Sequence, residues 1–588
     1  MNYTGDRRNQ SREWVNIPVA DNGEAIVAAM TEAGVEFVFF TSGSEIGFYQ
    51  EAIAKAEAQG RKAPKLISVT HEHVNLNAAL GCAAVSGKPV ATAAHVDCGT
   101  QHYGGAVHTA WHAGLPVLIT AGIPPTAYPG SMIGAREPEG HLWLQQTFDQ
   151  NGIVRQYTKW DHLLKFQDNP GLTVSRALQV ACTEPRGPVY LSIPREVSLA
   201  KADNARFPTL DQLGVGRPAA PEPDGVRELA ARLVKADNPI VVVSRSGRDP
   251  ATVPALVRFC ELMGLPVAQS AKRSYHCFPF THPLYQGSVS LKDADVVLVL
   301  DVDIPWMIGP NAPSDDAFVA MVDVEPSKRR IPIMEFTADL RLTADTLLTL
   351  EALESEVRAI SSAADRERFA ARAKRWSETS ERRRRALADN AKAAAGNTPI
   401  DVRWLSYQIG QALEDDWVVF DDTIGISQVH DYLQCARPNS YFCNPASSGG
   451  WAPGAAFGAK LAARDRNVVA ITGDGFYMFA PGIHSLWSAA QYKAPYLTIV
   501  YQNRSYSTGT LRVSRSYPDG FAAKAGYHGG YFEPPIDFAA EARSAGAYGE
   551  NVTDPKEVGP ALQRGMKSVR EGTSAVISVW LPRLLQAD

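Results

Sequence analysis

Cysteine is scarce: seven among 588 residues, an odd number with no Cys-x-x-Cys pair. That argues against a disulfide framework and for a reducing compartment. No apolar run is long enough to span a bilayer, and the polar start, MNYTGDRRNQSREW, lacks the apolar stretch of a signal peptide. Excess positive charge is missing as well. A net charge of −5 offers no basic field for nucleic acid. The one basic run, Arg382-Arg-Arg-Arg385, follows Glu381 inside an Ala/Arg/Glu-dense stretch, 355–395, that reads as a solvated connecting helix. Histidines at 108 and 112 have the spacing of two ligands on one helix face. Thr109 rather than Glu follows His108, however, which excludes a zinc hydrolase of the His-Glu type. What remains is a 45% hydrophobic, 21% charged composition, ordinary for a globular protein of several domains. The expectation is a soluble, cytoplasmic α/β protein with neither nucleic acid nor membrane as partner.

Apolar strand-like runs alternate with helix-like segments from end to end. Residues 35–40, 65–69, 90–94 and 116–121 read as strands, and helices fall between them. The same βα rhythm returns at 239–243, 266–268, 294–301 and 320–326, and again from Trp417 onward. Parallel, doubly wound sheets follow from this pattern. A Pro-rich polar stretch, 202–223, reads as a linker.

The most informative stretch begins at Val468. An apolar run, 468–471, empties into Gly473-Asp474-Gly475, a helix-like segment follows, and a second apolar run, 496–501, ends on Gln502-Asn503. Asp474 and Asn503 are roughly thirty positions apart, about one strand–helix–strand crossover. Such a crossover delivers both residues to the C-terminal edge of a parallel sheet, where open α/β sheets bind ligands. A carboxylate and an amide oxygen meeting there, beside glycines that admit a phosphate, suit a Mg²⁺–diphosphate site.

With Gly473-Asp474-Gly475 and Asn503 at this spacing, the sequence resembles the thiamine diphosphate enzymes, and within them the acetolactate synthase (acetohydroxyacid synthase) large-subunit group. Gln502 stands where that family usually has a first Asn. The resemblance implies three doubly wound parallel-sheet domains. They are a pyrimidine-binding domain at 20–200 after an N-terminal arm (1–19), a central domain at 224–352 after a linker (201–223), and a diphosphate-binding domain at 398–588. A connecting helix at 353–397 precedes the last, which ends in a C-terminal cover rich in Gly, Ser and Tyr (509–531). The segment 187–197 resembles the final strand of the pyrimidine-binding domain.

By the same resemblance, Mg²⁺ would be bound by Asp474, Asn503 and the carbonyl of Ser505. Thr423, Ile424 and Gly425 would contact the diphosphate side of the cofactor, as would Gly449, Gly450, Gly473, Gly475 and Phe476. Relatives place a bulky apolar residue under the cofactor where this chain has Gly449, and Trp451 is the candidate substitute. Glu72, in Thr70-His71-Glu72 where the family has Arg-His-Glu, would be the catalytic acid. It would hydrogen-bond the pyrimidine N1′ and favour the imino tautomer that removes the thiazolium C2 proton. The loop Asp97-Cys-Gly-Thr-Gln-His-Tyr103 replaces a Gly-Pro-Gly segment of the family, making Gln101 and His102 substrate-side candidates, with Gln146 a third.

In relatives the central domain holds FAD, ADP, the nucleotide part of coenzyme A, or nothing. Ser244-Arg-Ser-Gly-Arg248 could receive a phosphate, and a plain solvated turn fits it equally. The activity implied is Mg²⁺-dependent cleavage or ligation of C–C bonds in a 2-oxo acid. The alternatives are a 2-hydroxyacyl-CoA lyase or oxalyl-CoA decarboxylase-like enzyme, and a non-catalytic paralogue. Family precedent has Glu72 and Asp474 meet across a subunit interface, in a homodimer or homotetramer.

Overall fold

Runs of Val, Ile and Phe buried on both faces build three six-stranded sheets, one after another along the chain. The structure is a computed structural model that describes residues 13–270, 273–423 and 429–585. In the first sheet the strands lie in the order Lys65–Ser68, Phe37–Phe40, Val90–Ala94, Val117–Ile123, Val189–Pro194, Asp161–Leu163. The third sheet runs Tyr441–Cys443, Trp417–Asp422, Asn467–Gly473, Leu497–Gln502, Ala575–Trp580, Tyr548–Val552. Counted within each sheet, both have the strand order 2-1-3-4-6-5. The central sheet differs, running 3-2-1-4-5-6 from Tyr285–Gly287 to Leu340–Thr343. Every strand pair in the three sheets is parallel. Burial of both faces explains why these strands read as continuous apolar runs rather than alternating ones.

A two-stranded antiparallel ribbon, Val15–Pro18 with Asn204–Phe207, ties the start of the described chain to the segment after the first sheet. The long helix Ala363–Ala393 opens on a capping box made by Ser362 and Asp365 and leads into the third unit.

Two helices carry the contact that matters for function. One, α1 (Glu72–Ser86), follows the edge strand of the first sheet. The other, α2 (Ala452–Ala462), precedes the central strand of the third. They approach so closely that only glycine fits at the crossing. A Cβ on Gly81 would stand 1.9 Å from the carbonyl oxygen of Ala455, and one on Gly458 would stand 1.8 Å from that of Ala78. These Ala/Gly surfaces let the first and third units pack backbone to backbone. The C-terminal edges of both sheets are thereby brought together.

Candidate active site

Glu72 is the first residue of α1 and is buried, with 6% of its surface exposed. His71 caps the helix by accepting the His73 N–H on Nδ1. Glu72 Oε2 lies 3.3 Å from Nδ1 of His102, which is itself exposed. A Cβ on Gly99 would stand 3.0 Å from Glu72 Oε1, so glycine there leaves room beside the carboxylate. Of the three substrate-side candidates, His102 therefore meets Glu72, while Gln101 is exposed. Gln146 is also exposed and accepts a 2.7 Å hydrogen bond from Arg136. Its neighbour Gln145 turns the other way, its Nε2 3.0 Å from Nε2 of His95.

That contact exposes a group the sequence reading missed. His95 Nδ1 lies 2.8 Å from Glu45 Oε2, and Ser44 donates to the same oxygen at 2.8 Å. Burial pushes the Glu45 carboxyl up, but the bonds from His95 and Ser44 outweigh it and hold the group below its ordinary value. Gly43 makes the space, because a Cβ there would stand 2.4 Å from the imidazole. Glu45 and His95 each follow a strand of the first sheet, and those two strands, Phe37–Phe40 and Val90–Ala94, are neighbours. A carboxylate and an imidazole just past two adjacent strand ends are the signal that could have found them.

On the third sheet, Asp474 is buried at the end of Asn467–Gly473. Its carboxylate accepts the backbone N–H of Gly475 and of Arg504, the residue after Asn503. Burial pushes its pKa up to about 6 against those hydrogen bonds. Asn503 Oδ1 accepts the Ser505 N–H at 3.0 Å, and the Arg504 N–H that Asp474 accepts ties this turn to the carboxylate. Among the described residues, no cluster of three His, Cys, Asp or Glu side chains could hold a metal. A buried carboxylate with an amide and a carbonyl oxygen beside it is the donor set of a hard cation such as Mg²⁺.

The glycines around this turn divide into two kinds. A Cβ on Gly473 would meet nothing within 4 Å, so the backbone there is open to approach. A Cβ on Gly449 would strike the Phe476 ring at 2.3 Å, and Gly450 has φ +88. The Phe476 ring thus sits against the position that lacks an apolar side chain. Trp451 is buried against Phe420, with ring centres 5.2 Å apart. Phe532 and Tyr506 lie nearest Gly475. Asp422 ties the loop down by accepting from the backbone N–H groups of Gly450, Trp451 and Ala452 and from Asn444. Thr423 is buried and donates to Asp421 at 2.6 Å. Ile424 and Gly425 lie outside the described residues.

The two edges touch within one chain. Ser447 Oγ is 3.4 Å from His108 Nε2, and Asn77 reaches the carbonyl of Gly450 at 3.5 Å. The 447–450 loop therefore touches α1, the helix that Glu72 begins, and Asp474 stands at the end of the strand that follows α2. At the corresponding edge of the central sheet, Arg245 and Lys328 pair with Asp303 at 3.0 and 2.9 Å. Arg248 pairs with Glu184 of the first unit at 3.1 Å.

Residues 21–153 match the family described as "Thiamine pyrophosphate enzyme, N-terminal TPP binding domain". Residues 423–579 match its C-terminal TPP binding domain. The chain belongs to the thiamine pyrophosphate enzymes. It is similar to benzoylformate decarboxylase of Pseudomonas aeruginosa, with 29% identity over 85% of this chain and 89% of that one. It is also similar to acetolactate synthase of Bacillus subtilis, with 23% identity over 93% and 91%. In fold it resembles a Rhodococcus jostii RHA1 4-hydroxybenzoylformate decarboxylase structure at TM-score 0.76 and 22% identity, covering 96% of this chain and 100% of that one. As a thiamine pyrophosphate enzyme the chain fits its cofactor. Open backbone at Gly473, a hard-cation donor set at Asp474 and a buried carboxylate at Glu72 are what its two ends require. No helix among the described residues is long and apolar enough to cross a membrane.

Proposed function

We propose that this thiamine pyrophosphate enzyme decarboxylates a 2-oxo acid carrying a bulky apolar group, of the arylglyoxylate kind. The observation that carries the reading is the Glu45–His95–Gln145 group on the same sheet edge as Glu72. In such a reaction the bond between the carboxylate and the carbonyl carbon breaks and carbon dioxide leaves. The carbonyl carbon then gains a proton, giving an aldehyde without any external oxidant or reductant. The bound cofactor supplies the electron sink for the breaking bond. What this chain must add is a hydrogen-bond donor for the substrate carboxylate and a proton for the product.

His95 suits both tasks. With the Gln145 amide donating to Nε2, the ring carries its proton on Nδ1 toward Glu45; with the amide reversed, Nε2 carries a proton too. Glu45 Oε2 lies 2.8 Å from the ring's Nδ1, and the side chain follows a strand of the same sheet that leads to Glu72. Glu72 holds the proton that activates the cofactor, while Asp474, Asn503 and the Ser505 carbonyl hold Mg²⁺. Phe476, Tyr506 and Phe532 supply the apolar wall that a large substituent needs. The relatives named for benzoylformate and 4-hydroxybenzoylformate support the same substrate class.

Ligation of two 2-oxo acids is the second reading, supported by the acetolactate synthase relative. The test is incubation with the cofactor, Mg²⁺ and benzoylformate, beside pyruvate and a 2-hydroxyacyl-CoA. Benzaldehyde and carbon dioxide are expected from benzoylformate. Acetolactate from pyruvate alone would favour ligation, and turnover of only the thioester would overturn both readings.

A further inference from the structure

We propose that a stripe of three side chains, His484, Ser488 and Tyr492, is the positioning device that sets Glu72 against the diphosphate end of the cofactor site. The proposal rests on the assignment of Glu72 made above. The stripe belongs to helix α3 (Gly482–Gln491) and the residue that follows it. Spaced four apart, its members share one helix face. That face lies along Lys65–Ser68, the edge strand of the first sheet, whose outward backbone groups have no neighbouring strand. Tyr492 OH accepts the Ser68 N–H at 2.7 Å. Ser488 Oγ donates to the Ser68 carbonyl at 3.1 Å. His484 Nδ1 and Thr70 Oγ1 are 2.6 Å apart. The His484 ring also lies 5.4 Å from that of His71, the cap of the helix that Glu72 begins.

Two of these three bonds from another unit cover the backbone N–H and carbonyl of Ser68 on this edge, and the third holds the Thr70 side chain. The last of them falls two residues before Glu72. At its other end, α3 begins shortly after Asp474-Gly475, separated only by the short helix Asp474–Phe479 and a Pro-Gly turn. If Glu72 and Asp474 grip opposite ends of one cofactor, their separation must be fixed by contacts between the two units. The α3 stripe joins the two units through directional bonds, and small errors in such a placement are costly to catalysis. Ser488 is fully buried, so the middle bond is shielded from water. Burial pushes the His484 pKa down, which keeps its ring neutral and able to accept from Thr70 at neutral pH.

The experiment uses the full chain loaded with thiamine pyrophosphate and Mg²⁺. It measures the rate of hydrogen–deuterium exchange at the cofactor C2 without substrate, together with cofactor affinity. His484→Ala and Thr70→Val should each slow exchange about tenfold or more at full occupancy, as expected when a general acid–base group is displaced. The double variant should be no slower than either single one, because both remove the same bond. His484→Asn, which can offer an oxygen or nitrogen near the position of Nδ1, should restore most of the rate. Tyr492→Phe, a milder change, should slow exchange without threatening the fold. Weakened cofactor affinity with wild-type exchange at saturation would overturn the proposal, since a merely structural helix would behave that way. Glu72→Gln is the reference. If it leaves exchange unchanged, the assignment of Glu72 fails; if it slows exchange while the stripe variants do not, only the stripe fails.

Discussion

Buried carboxylates in this chain differ in what surrounds them, and that difference separates their roles. Glu72 faces an imidazole and a glycine-made gap, the setting of a group that shares a proton with a ligand. Glu72→Gln should therefore retain cofactor while turnover falls by about tenfold or more; steady-state kinetics beside a cofactor titration would check this, and wild-type turnover would remove the role. Asp301 is buried for another reason. It lies just past a central strand, accepts from Thr346 at 2.6 Å, and is pushed up to about 7 by burial and by the neighbouring Asp323. Its folded-state pKa is above the unfolded value. Its contribution is thus present in full below about pH 4 and is lost as the pH rises to about 7. Asp301→Asn should flatten the fall in thermal midpoint between about pH 4 and 7. A variant whose midpoint tracks the wild type across that range would show that Asp301 does not titrate there.

At the level of elements, the strands and the Asp474–Asn503 crossover are legible in the sequence, because double-faced burial writes itself as unbroken apolar runs and one crossover has a characteristic length. Glu45 with His95 is not legible in the same way. Each is an ordinary polar residue after a strand, and only the pairing of Phe37–Phe40 with Val90–Ala94 makes them neighbours. The contact of Gln145 rather than Gln146 with His95 is illegible for a related reason: a loop has no period, so nothing in the sequence says which of two adjacent amides turns that way. Phe476 is expected from the sequence to contact the cofactor, but its packing against Gly449 depends on a loop folding back through Asp422. The glycines of α1 and α2 read as part of an Ala/Gly-rich helix and a glycine-rich segment; only their crossing shows why they are needed. Gly458→Val would push a side chain into the Ala78 carbonyl. It should cost about 1–3 kcal/mol or more by overpacking, visible as a lower thermal midpoint and weaker cofactor retention. An unchanged midpoint would mean that the helices separate more easily than their packing implies.

At the scale of the whole molecule, large apolar side chains among the described residues stand exposed at several places. Tyr128, Ile133, Trp143, Leu144 and Phe148 are exposed on the first unit, and Phe479, Trp487 and Phe521 on the third. Such surface marks contact with another protein, and a symmetric homo-oligomer is its simplest occupant. A dimer or tetramer with shared sites would also let the α1–α2 contact, closed here within one chain, be made between copies instead, since exchanging an identical contact costs little. Glu72 lies on one side of that contact and Asp474 behind the other, so two impaired variants can report which arrangement operates. Glu72→Gln lacks the proton-sharing group, and Asp474→Ala should fail to retain cofactor with Mg²⁺. Co-expressed or dissociated and reassembled together, they form mixed oligomers. In a shared site, one of every two positions in a mixed dimer combines the intact Glu72 of one copy with the intact Asp474 of the other. We expect activity to return in the mixture while each variant alone stays impaired. A mixture as impaired as its parents would mean that each chain completes its own site, with α1 against the 447–450 loop of the same chain.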